Sequence, residues 1–409
     1  MSSRNPLFRI GAFVLIAAAA TFLAGCEESG LSSIGAHAND PIAPETVALM
    51  KKMDTSENAP VLIRSYKKES ELEIWKMKSD GRYALLKTYP VCRWSGQLGP
   101  KAREGDRQVP EGFYSITPAQ MKPNSAYYLA FNVGYPNAYD RALGHDGGSI
   151  MVHGICSSAG CFSMTDPQIG EIYAVVREAF AGGQREVQMQ SYPFRMTADN
   201  LAKYRLDPNI GFWKELKEGS DNFEVTNQEV VVGVCGKHYV FNAAPANGAH
   251  FDPLGPCPQL KRDEEVKGLV AAKQSRDDAK VAELATQGVK PIHTVYADGG
   301  QHPYFASISA YASRPDALAR GPVDVALDDS AITQGAVRKG RMSPVVQVAA
   351  AKINRAKVAS LAPATGATNP KLADSTDVTA SIAKPAKEAD KPWMFANFFA
   401  PKPNADAAR

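Results

Sequence analysis

Short runs of alternating hydrophobic and polar residues follow one another in the first half of the chain. Residues 61–66, 72–77 and 83–91 combine branched and aromatic side chains with polar neighbours. Runs of this kind, bounded by turn residues such as Asp80-Gly81, are typical of short strands. The same pattern predicts further strands at 113–116, 127–133, 149–152 and 186–191, and a hairpin of 229–234 with 238–241. The body of the chain is therefore predicted to be mainly β.

A few segments carry the helical period instead. One apolar face recurs after Asp166-Pro167 and ends at Gly182-Gly183, with Asp166 as the predicted N-cap. Shorter helices are predicted at 44–53, 197–206 and 211–216. Residues 261–286 are highly charged, with only a thin apolar seam, which favours a solvated single helix over a partner-binding one.

The N-terminus has the pattern of an export signal. Arg4 and Arg9 precede an apolar run at 10–24 that suits a signal-peptide core better than a transmembrane helix. The run ends in Leu-Ala-Gly-Cys at 23–26, which resembles a bacterial lipobox, so we expect Cys26 to be lipidated; the alternative is an ordinary signal peptide. The predicted location is the bacterial envelope, anchored by lipid and facing the periplasm, and Glu27 favours the outer membrane over the inner one.

Charge is unevenly distributed along the chain. Residues 338–409 contain 12 Lys/Arg and 5 Asp/Glu, whereas the overall net charge is only +3. A basic tail on an acidic body is not the pattern of a nucleic-acid-binding domain, so we expect no nucleic-acid partner. From residue 288 onward large apolar residues are few, which predicts a disordered tail.

These patterns predict six consecutive segments. They are a lipoprotein signal peptide (1–25), a tether (26–58), a catalytic domain (59–220), a C-terminal β-hairpin appendage (221–258), a charged helix (259–287) and a disordered basic tail (288–409).

The candidate chemistry lies at residues 150–164. His153 follows a short apolar run, and Cys161 comes eight residues later, directly after Gly160. A thiol needs a base to become a thiolate, and a glycine before the cysteine lets the backbone turn its N–H groups toward an oxyanion. The stretch therefore predicts an acyl-transfer site with Cys161 as nucleophile, His153 as general base and acid, and the Gly160 backbone in the oxyanion site.

The other cysteines leave the state of this thiol open. With Cys26 lipidated and Cys161 catalytic, four remain: Cys92, Cys156, Cys235 and Cys257. Disulfides are compatible with an exported protein, and four cysteines permit three pairings. A bond between Cys156 and Cys161 would instead remove the nucleophile. The cysteines are too scattered for a structural zinc site, and we expect neither a metal nor a cofactor.

Residues 150–164 resemble the signature of the YkuD-type L,D-transpeptidase catalytic domain, in which a His-Gly pair precedes Ser-x-Gly-Cys. The resemblance covers about residues 59–245 and is nearest to the YafK/DpaA-like branch. The blocks that carry it are 92–96, 98–101, 105–106, 110–114, 136–142 and 192–197. It implies a mainly β fold, a β-sandwich or barrel with a few helices, and peptidoglycan stem peptides as substrate.

Within this resemblance Ser158 is expected to order the site. Ala159 stands where a second histidine is common, and Ser163 stands where an arginine often follows. We expect another cation to replace that arginine in substrate binding, and the candidates are Arg195, Arg141, Arg93 and Lys101. Gly154 is a further predicted substrate contact.

The family implies ping-pong acyl transfer through a thioester on Cys161, from a meso-diaminopimelate residue of a donor stem peptide. An amine acceptor gives transfer. Water gives hydrolysis, and the YafK/DpaA-like branch is associated with hydrolytic release of murein-bound lipoprotein, so a peptidoglycan-attached envelope protein is a possible partner. A different class of function, a non-catalytic wall-binding lipoprotein, also fits the sequence.

Overall fold

The structure is a computed structural model that describes residues 35–305 and 320–328. The predicted signal peptide, the lipidation of Cys26 and most of the basic tail lie outside these residues. Within the described ranges no helix has both the length and the apolar composition needed to cross a membrane.

Strands and helices alternate along the described chain. The strands are β1 (Val61–Tyr66), β2 (Glu71–Met77), β3 (Tyr83–Pro90), β4 (Gly112–Ile116), β5 (Met121–Lys122), β6 (Ala130–Asn132), β7 (Met151–His153), β8 (Phe162–Ser163), β9 (Val187–Tyr192), β10 (Val232–Cys235), β11 (His238–Phe241), β12 (Ala243–Pro245), β13 (Leu260–Arg262), β14 (Ile292–Val295) and β15 (Val323–Ala326). The helices are α1 (Pro44–Lys52), α2 (Ala138–Ala142), α3 (Asp166–Ala181), α4 (Ala198–Lys203), α5 (Ile210–Thr226) and α6 (Glu264–Thr286). Short 3₁₀ turns occupy Ala36–Asn39, Pro118–Gln120 and Pro303–Phe305. The predicted mainly β body with a few helices is confirmed.

The larger sheet has five strands in the order β3-β2-β1-β9-β4. β1 pairs in parallel with β9 and antiparallel with β2. All six residues of β1 and all six of β9 are buried, so both faces of these central strands are covered. On β1, Arg64 Nη2 donates to Ser220 Oγ of α5 at 2.8 Å, and its guanidinium lies over the Phe223 ring.

The smaller sheet, β5-β6-β7-β8, carries the residues of the candidate site. β6 and β7 are antiparallel, whereas β7 and β8 are parallel and very short. A backbone bridge joins Ser163 of β8 to Arg93, and the next residue, Trp94, bridges to Gly300. Loops rather than long strands therefore fix the geometry beside β8.

Two helices differ in detail from the prediction. The N-cap of α3 is Thr165, which forms a capping box with Gln168, so Asp166 is the first helical residue and not the cap. α5 extends ten residues beyond the predicted end at 216. Its second half is rich in polar residues that are buried and hydrogen-bonded, such as Ser220 and Asp221, and these interrupt the apolar period on which the prediction depended.

The hairpin of β10 and β11 is part of the core and not an appendage. Phe113 of β4 contacts both Tyr239 and Phe241 of β11, with ring centroids 5.6 and 4.9 Å apart. The predicted boundary at residue 220 falls inside α5. A disulfide joins Cys235 to Cys257 and ties the hairpin to the segment before β13.

The charged helix α6 packs against the body instead of lying free in solvent. Lys217 of α5 pairs with Asp277 of α6 at 2.7 Å, and Lys273 of α6 pairs with Asp221 of α5 at 3.3 Å. Only Val270 of α6 is fully buried. Ion pairs add to the few apolar contacts of Val270 and Val281 in holding this helix, which is why the hydrophobic pattern alone did not predict its position.

The chain after α6 returns to the body as an ordered segment, here named the C-terminal arm (residues 292–302). Gln97 and Tyr296 exchange two hydrogen bonds, and Gly300 and Trp94 exchange two backbone hydrogen bonds. Gly299 has a φ of +71°, and a Cβ there would lie 2.1 Å from the Trp94 carbonyl oxygen. The disordered tail therefore does not begin at residue 288. Backbone contacts and ion pairs dock the arm, and composition does not reveal either.

Candidate active site

Strands β7 and β8 bring the segments that carry the predicted nucleophile and base side by side in the smaller sheet. Their register pairs Val152 with Phe162 and His153 with Ser163. Cys161 directly precedes β8 and therefore lies beside Met151, two residues before His153 on β7. The Met151 N–H donates to Cys161 Sγ at 3.4 Å, which holds the sulfur against β7.

A hydrogen bond fixes which ring nitrogen of His153 carries a proton. Nδ1 lies 2.6 Å from the Gly154 carbonyl oxygen, which can only accept, so Nδ1 is protonated and Nε2 is the basic nitrogen of the neutral ring. Burial lowers the pKa of His153, despite this hydrogen bond, and favours the neutral ring. The Tyr127 ring lies 4.7 Å from the imidazole ring and is itself half exposed. The site therefore holds a neutral histidine with a free basic nitrogen.

Cys161 is a free thiol. Cys92 bonds to Cys156 and Cys235 to Cys257, so the pairing of Cys156 with Cys161 does not occur. Burial raises the pKa of the Cys161 thiol, although the Met151 N–H and the positive charge of Lys101 act to lower it. The thiol donates weakly to the Ser149 carbonyl oxygen at 3.9 Å. The two pKa shifts both favour a neutral thiol beside a neutral imidazole.

Ser158 organises the loop that leads to Cys161. Its Oγ donates to the Cys161 carbonyl oxygen at 2.6 Å and accepts from the Gly160 and Cys161 N–H groups at 3.3 and 3.1 Å. Gly160 has a φ of +131°, which other residues rarely adopt. The placement of Ser158 agrees with the ordering role expected of it. The Gly160 N–H, which was predicted to line the oxyanion site, donates to Ser158 Oγ in this conformation, as does the Cys161 N–H.

The turn after His153 is held from two sides. A Cβ on Gly154 would lie 2.5 Å from Asp166 Oδ1, and that same oxygen accepts the Ile155 N–H at 2.8 Å. Ile155 and Cys156 both have positive φ, and the disulfide to Cys92 anchors them. Gly154 is therefore placed to hold His153 through its carbonyl oxygen and to allow close packing beside Asp166.

The predicted substrate-binding cations are placed elsewhere or are already neutralised. Arg195 pairs with Glu71 and Glu73 and stacks on Tyr66 at the end of the larger sheet. Arg141 lines a different cavity of about 300 Å³, formed with residues of β4 and the β10–β11 hairpin. Lys101 is buried and pairs with Asp106 at 2.5 Å.

Arg93 is fully buried and pairs with Asp298 at 2.9 Å. Of the four cations named from the sequence, only Lys101 has an electrostatic effect on Cys161.

Sequence reasoning missed Arg107. Its Nη2 lies 3.5 Å from the Ser158 carbonyl oxygen and 3.1 Å from Asp298 Oδ2, and 40% of its side chain is exposed. Arg107 directly follows the Gly105-Asp106 block that carries the family resemblance. This position could have identified it as a candidate site residue. Tyr127, against His153, was also missed, and no pattern marked it.

Among residues 35–305 and 320–328, no group of three or more His, Cys, Asp or Glu side chains is arranged to hold a metal ion. The arrangement can support proton transfer from a thiol to an imidazole beside an exposed cation. These are the elements of nucleophilic acyl transfer.

Comparison with known proteins gives matches for this region. A family model described as the L,D-transpeptidase catalytic domain, YkuD, matches residues 68–189. "Putative L,D-transpeptidase YafK" of Escherichia coli K12 is 46% identical over 182 residues, which are 44% of this chain and 74% of that protein, and the protein of the same name from strain O157:H7 matches equally. The crystal structure of the helical cell shape determining protein Pgp2 from Campylobacter jejuni covers 64% of this chain and 82% of its own, at 16% identity and a TM-score of 0.28.

Proposed function

The chain belongs to the L,D-transpeptidase catalytic-domain family named YkuD, and from this premise we propose that it is a cysteine acyltransferase acting on peptidoglycan stem peptides. The observation that carries the proposal is the free thiol of Cys161, held by the Met151 N–H two residues before His153, whose Nδ1 donates to Gly154 and whose pKa is lowered by burial. The proposed donor is a stem peptide containing meso-diaminopimelate.

In the first half-reaction His153 Nε2 takes the thiol proton, and Cys161 Sγ attacks the diaminopimelate carbonyl carbon. A carbon–sulfur bond forms, and the carbon–nitrogen bond to the leaving amine breaks. His153 then gives its proton to that amine. Burial raises the thiol pKa and lowers the imidazole pKa, so both shifts favour the neutral pair before the proton moves.

In the second half-reaction an acceptor attacks the thioester. His153 takes the acceptor's proton, the carbon–sulfur bond breaks, and the sulfur is reprotonated from His153. An amine acceptor yields a crosslink or a protein attachment, and water yields hydrolysis. The same two side chains serve both outcomes, so the nucleophile that reaches the thioester decides between them.

The assay that tests this function gives the purified protein a donor tetrapeptide with and without an amine acceptor. Wild-type protein is expected to form an acceptor-linked product or, with water alone, a shortened donor, and Cys161→Ala is expected to form neither. Peptidoglycan carrying bound protein, used as a second substrate, reports hydrolytic release. An unchanged donor in every mixture, with folded wild-type protein, would contradict the proposal.

We also propose that lipid on Cys26 anchors the protein to the envelope, facing the periplasm and preferably on the outer membrane. The described chain enters the body at His37, which stacks on Tyr128 at 4.7 Å, and Tyr128 neighbours the Tyr127 that covers His153. Eleven residues from Cys26 to His37 span at most ~40 Å. The active site would then work close to the membrane surface, and Cys26→Ser is expected to release the protein from the membrane fraction.

A further inference from the structure

A short stretch of chain, the 92–95 segment, is attached to the loop that leads to the nucleophile. At one end of the segment, Cys92 forms a disulfide with Cys156. At the other end, Ser95 Oγ lies 3.1 Å from Oγ of Ser158, and Ser158 is bonded to the backbone of the nucleophile. The segment therefore holds the chain at two points just before the reacting sulfur.

The same segment is attached to the chain just after Cys161. The Arg93 N–H donates to the Ser163 carbonyl oxygen at 3.1 Å, and the Ser163 N–H donates to the Arg93 carbonyl oxygen at 2.8 Å. The Cys92 N–H donates to that Ser163 oxygen as well, at 2.9 Å. The 92–95 segment thus gives β8 a further backbone partner, and it holds the chain on both sides of the nucleophile.

The C-terminal arm pairs with the other edge of this segment. Trp94 and Gly300 exchange two backbone hydrogen bonds, at 2.9 and 3.0 Å, and the His302 N–H donates to the Val91 carbonyl oxygen at 3.0 Å. Successive residues of an extended chain direct their backbone groups to opposite edges. Since Arg93 pairs with β8 and Trp94 with the arm, the segment lies between the two.

Side chains strengthen the contact between the arm and the segment. Asp298 Oδ2 of the arm pairs with Arg93 Nη2 at 2.9 Å, and the Arg93 side chain is fully buried. Phe305, three residues after the arm, is buried in one cluster with Cys92 and Cys156. The arm and the residues that follow it therefore cover both the paired backbone and the disulfide.

We propose that the C-terminal arm is a positioning element of the active site. Through the 92–95 segment it fixes the loop that carries Cys161, and the rate of the chemical step depends on its docking. This proposal rests on the proposed function. The arm lies outside the residues that the family model matches, 68–189, so the proposal assigns part of the site to a region beyond the catalytic domain.

The test uses full-length variants that weaken the docking of the arm without changing the catalytic pair. Gly299→Ala places a Cβ against the Trp94 carbonyl oxygen, at a φ of +71°. Gly288→Ala is the matched control: its φ is +87°, but its Cβ would meet no atom of the described residues within 4 Å. Gln97→Ala is a milder second variant, which removes the two hydrogen bonds between Gln97 and Tyr296, at 2.7 and 2.8 Å.

Two measurements are made on each variant. Amide hydrogen exchange at Gly300 and His302 reports whether the arm is docked, and turnover of the donor tetrapeptide gives kcat and KM separately. Gly299→Ala should expose both amides and lower kcat by about tenfold or more, because a displacement of about 1 Å can cost about 100-fold in rate. The KM should change less, since the position of the sulfur matters most in the transition state.

Gln97→Ala should show a smaller loss of kcat in proportion to the exchange at the arm, and Gly288→Ala should keep the kcat of the wild type. A purely structural role of the arm would instead lower the free energy of unfolding and leave the kcat of the folded protein unchanged. Urea unfolding of the same samples separates the two.

An arm that exchanges freely while kcat is unchanged would overturn the proposal, as would an equal loss of kcat in Gly288→Ala. Protected amides in both Gly299→Ala and Gln97→Ala would refute the docking contacts on which it depends. If Gly299→Ala does not fold, Gln97→Ala decides by the same two measurements. A wild-type protein that consumes no donor would refute the proposed function instead, because the role of the arm is read from variants of a protein that turns the donor over.

Discussion

The loop from Gly96 to Pro110 has a closed base and an open tip. At the base, Lys67 and Glu111 pair at 2.8 Å, and both side chains are completely buried. Lys67 Nζ also donates to two backbone carbonyl oxygens, and Glu111 accepts from the Gly99 N–H and from Trp213 Nε1. At the tip, Arg107 shares Asp298 with Arg93 and is partly exposed.

The difference separates charges that are completely buried and paired from a charge that is partly exposed. A buried ion pair must have its remaining donors and acceptors satisfied, because water cannot reach them. The base meets this demand through backbone groups of the loop itself. At the tip, Arg107 Nε is buried without a partner among the described residues, although 40% of the side chain as a whole is exposed.

The largest expected effect comes from Glu111→Gln at the base. It leaves the Lys67 charge buried without its partner, which should lower the free energy of unfolding by about 3–5 kcal/mol. Urea unfolding measures the change, and Glu45→Gln, on the exposed first turn of α1, is the control expected to stay within about 0.5 kcal/mol. A loss of free energy of unfolding below about 1 kcal/mol would contradict the distinction between the base and the tip of the loop.

The stability that the Lys67–Glu111 pair contributes at the base of the loop depends on pH with a definite sign. Burial lowers the pKa of Lys67, although Glu111 acts to raise it. The folded state therefore binds fewer protons than the unfolded state, and this group contributes stability that increases as the pH rises from the lowered pKa toward about 10.4. Removing Glu111 lowers the pKa of Lys67 further. The loss of free energy of unfolding in Glu111→Gln should therefore become smaller between pH 7 and pH 10.

The next effect concerns the disulfide beside the open tip. Replacing Cys92 and Cys156 together by Ser should cost about 2–4 kcal/mol, because the bond closes a loop with a sequence separation of 64. The matched pair is Cys235 and Cys257, with a separation of 22, whose replacement should cost about 1 kcal/mol less. Only the first pair holds the turn after His153, so only its loss should also slow acyl transfer.

The smallest expected effect concerns the pH dependence of the alkylation rate of Cys161. Burial raises its pKa, so the thiolate fraction at neutral pH is low and alkylation by iodoacetamide should still be accelerating at pH values where an ordinary free thiol has levelled off. Mass spectrometry of the modified peptide follows the rate. A plateau at or below the ordinary thiol range would mean that the site stores a thiolate in its resting state.

The parts that the sequence predicted are those with local or family-wide patterns. β1, β3 and β11 lie within a residue or so of their predicted bounds, because strand periodicity and turn residues are local signals. His153 and Cys161 were found by their spacing and flanking blocks. The Cys92–Cys156 bond was one of the pairings that the sequence left open.

What the sequence did not predict depends on contacts between distant segments. Asp298 is 191 residues from Arg107, and the ion pairs that dock α6 join residues about 50–60 positions apart. A single sequence contains no period or motif for such pairings. The arm was therefore assigned to the disordered tail, and Arg107 was not recognised.

The central claim, that Cys161 is the acylated nucleophile, is tested most directly by intact-protein mass spectrometry after incubation with a carbapenem. We expect a covalent adduct of one carbapenem per chain that maps to Cys161 and is absent from Cys161→Ala. Wild-type protein that is folded and reduced but forms no adduct, or an adduct retained by Cys161→Ala, would contradict it.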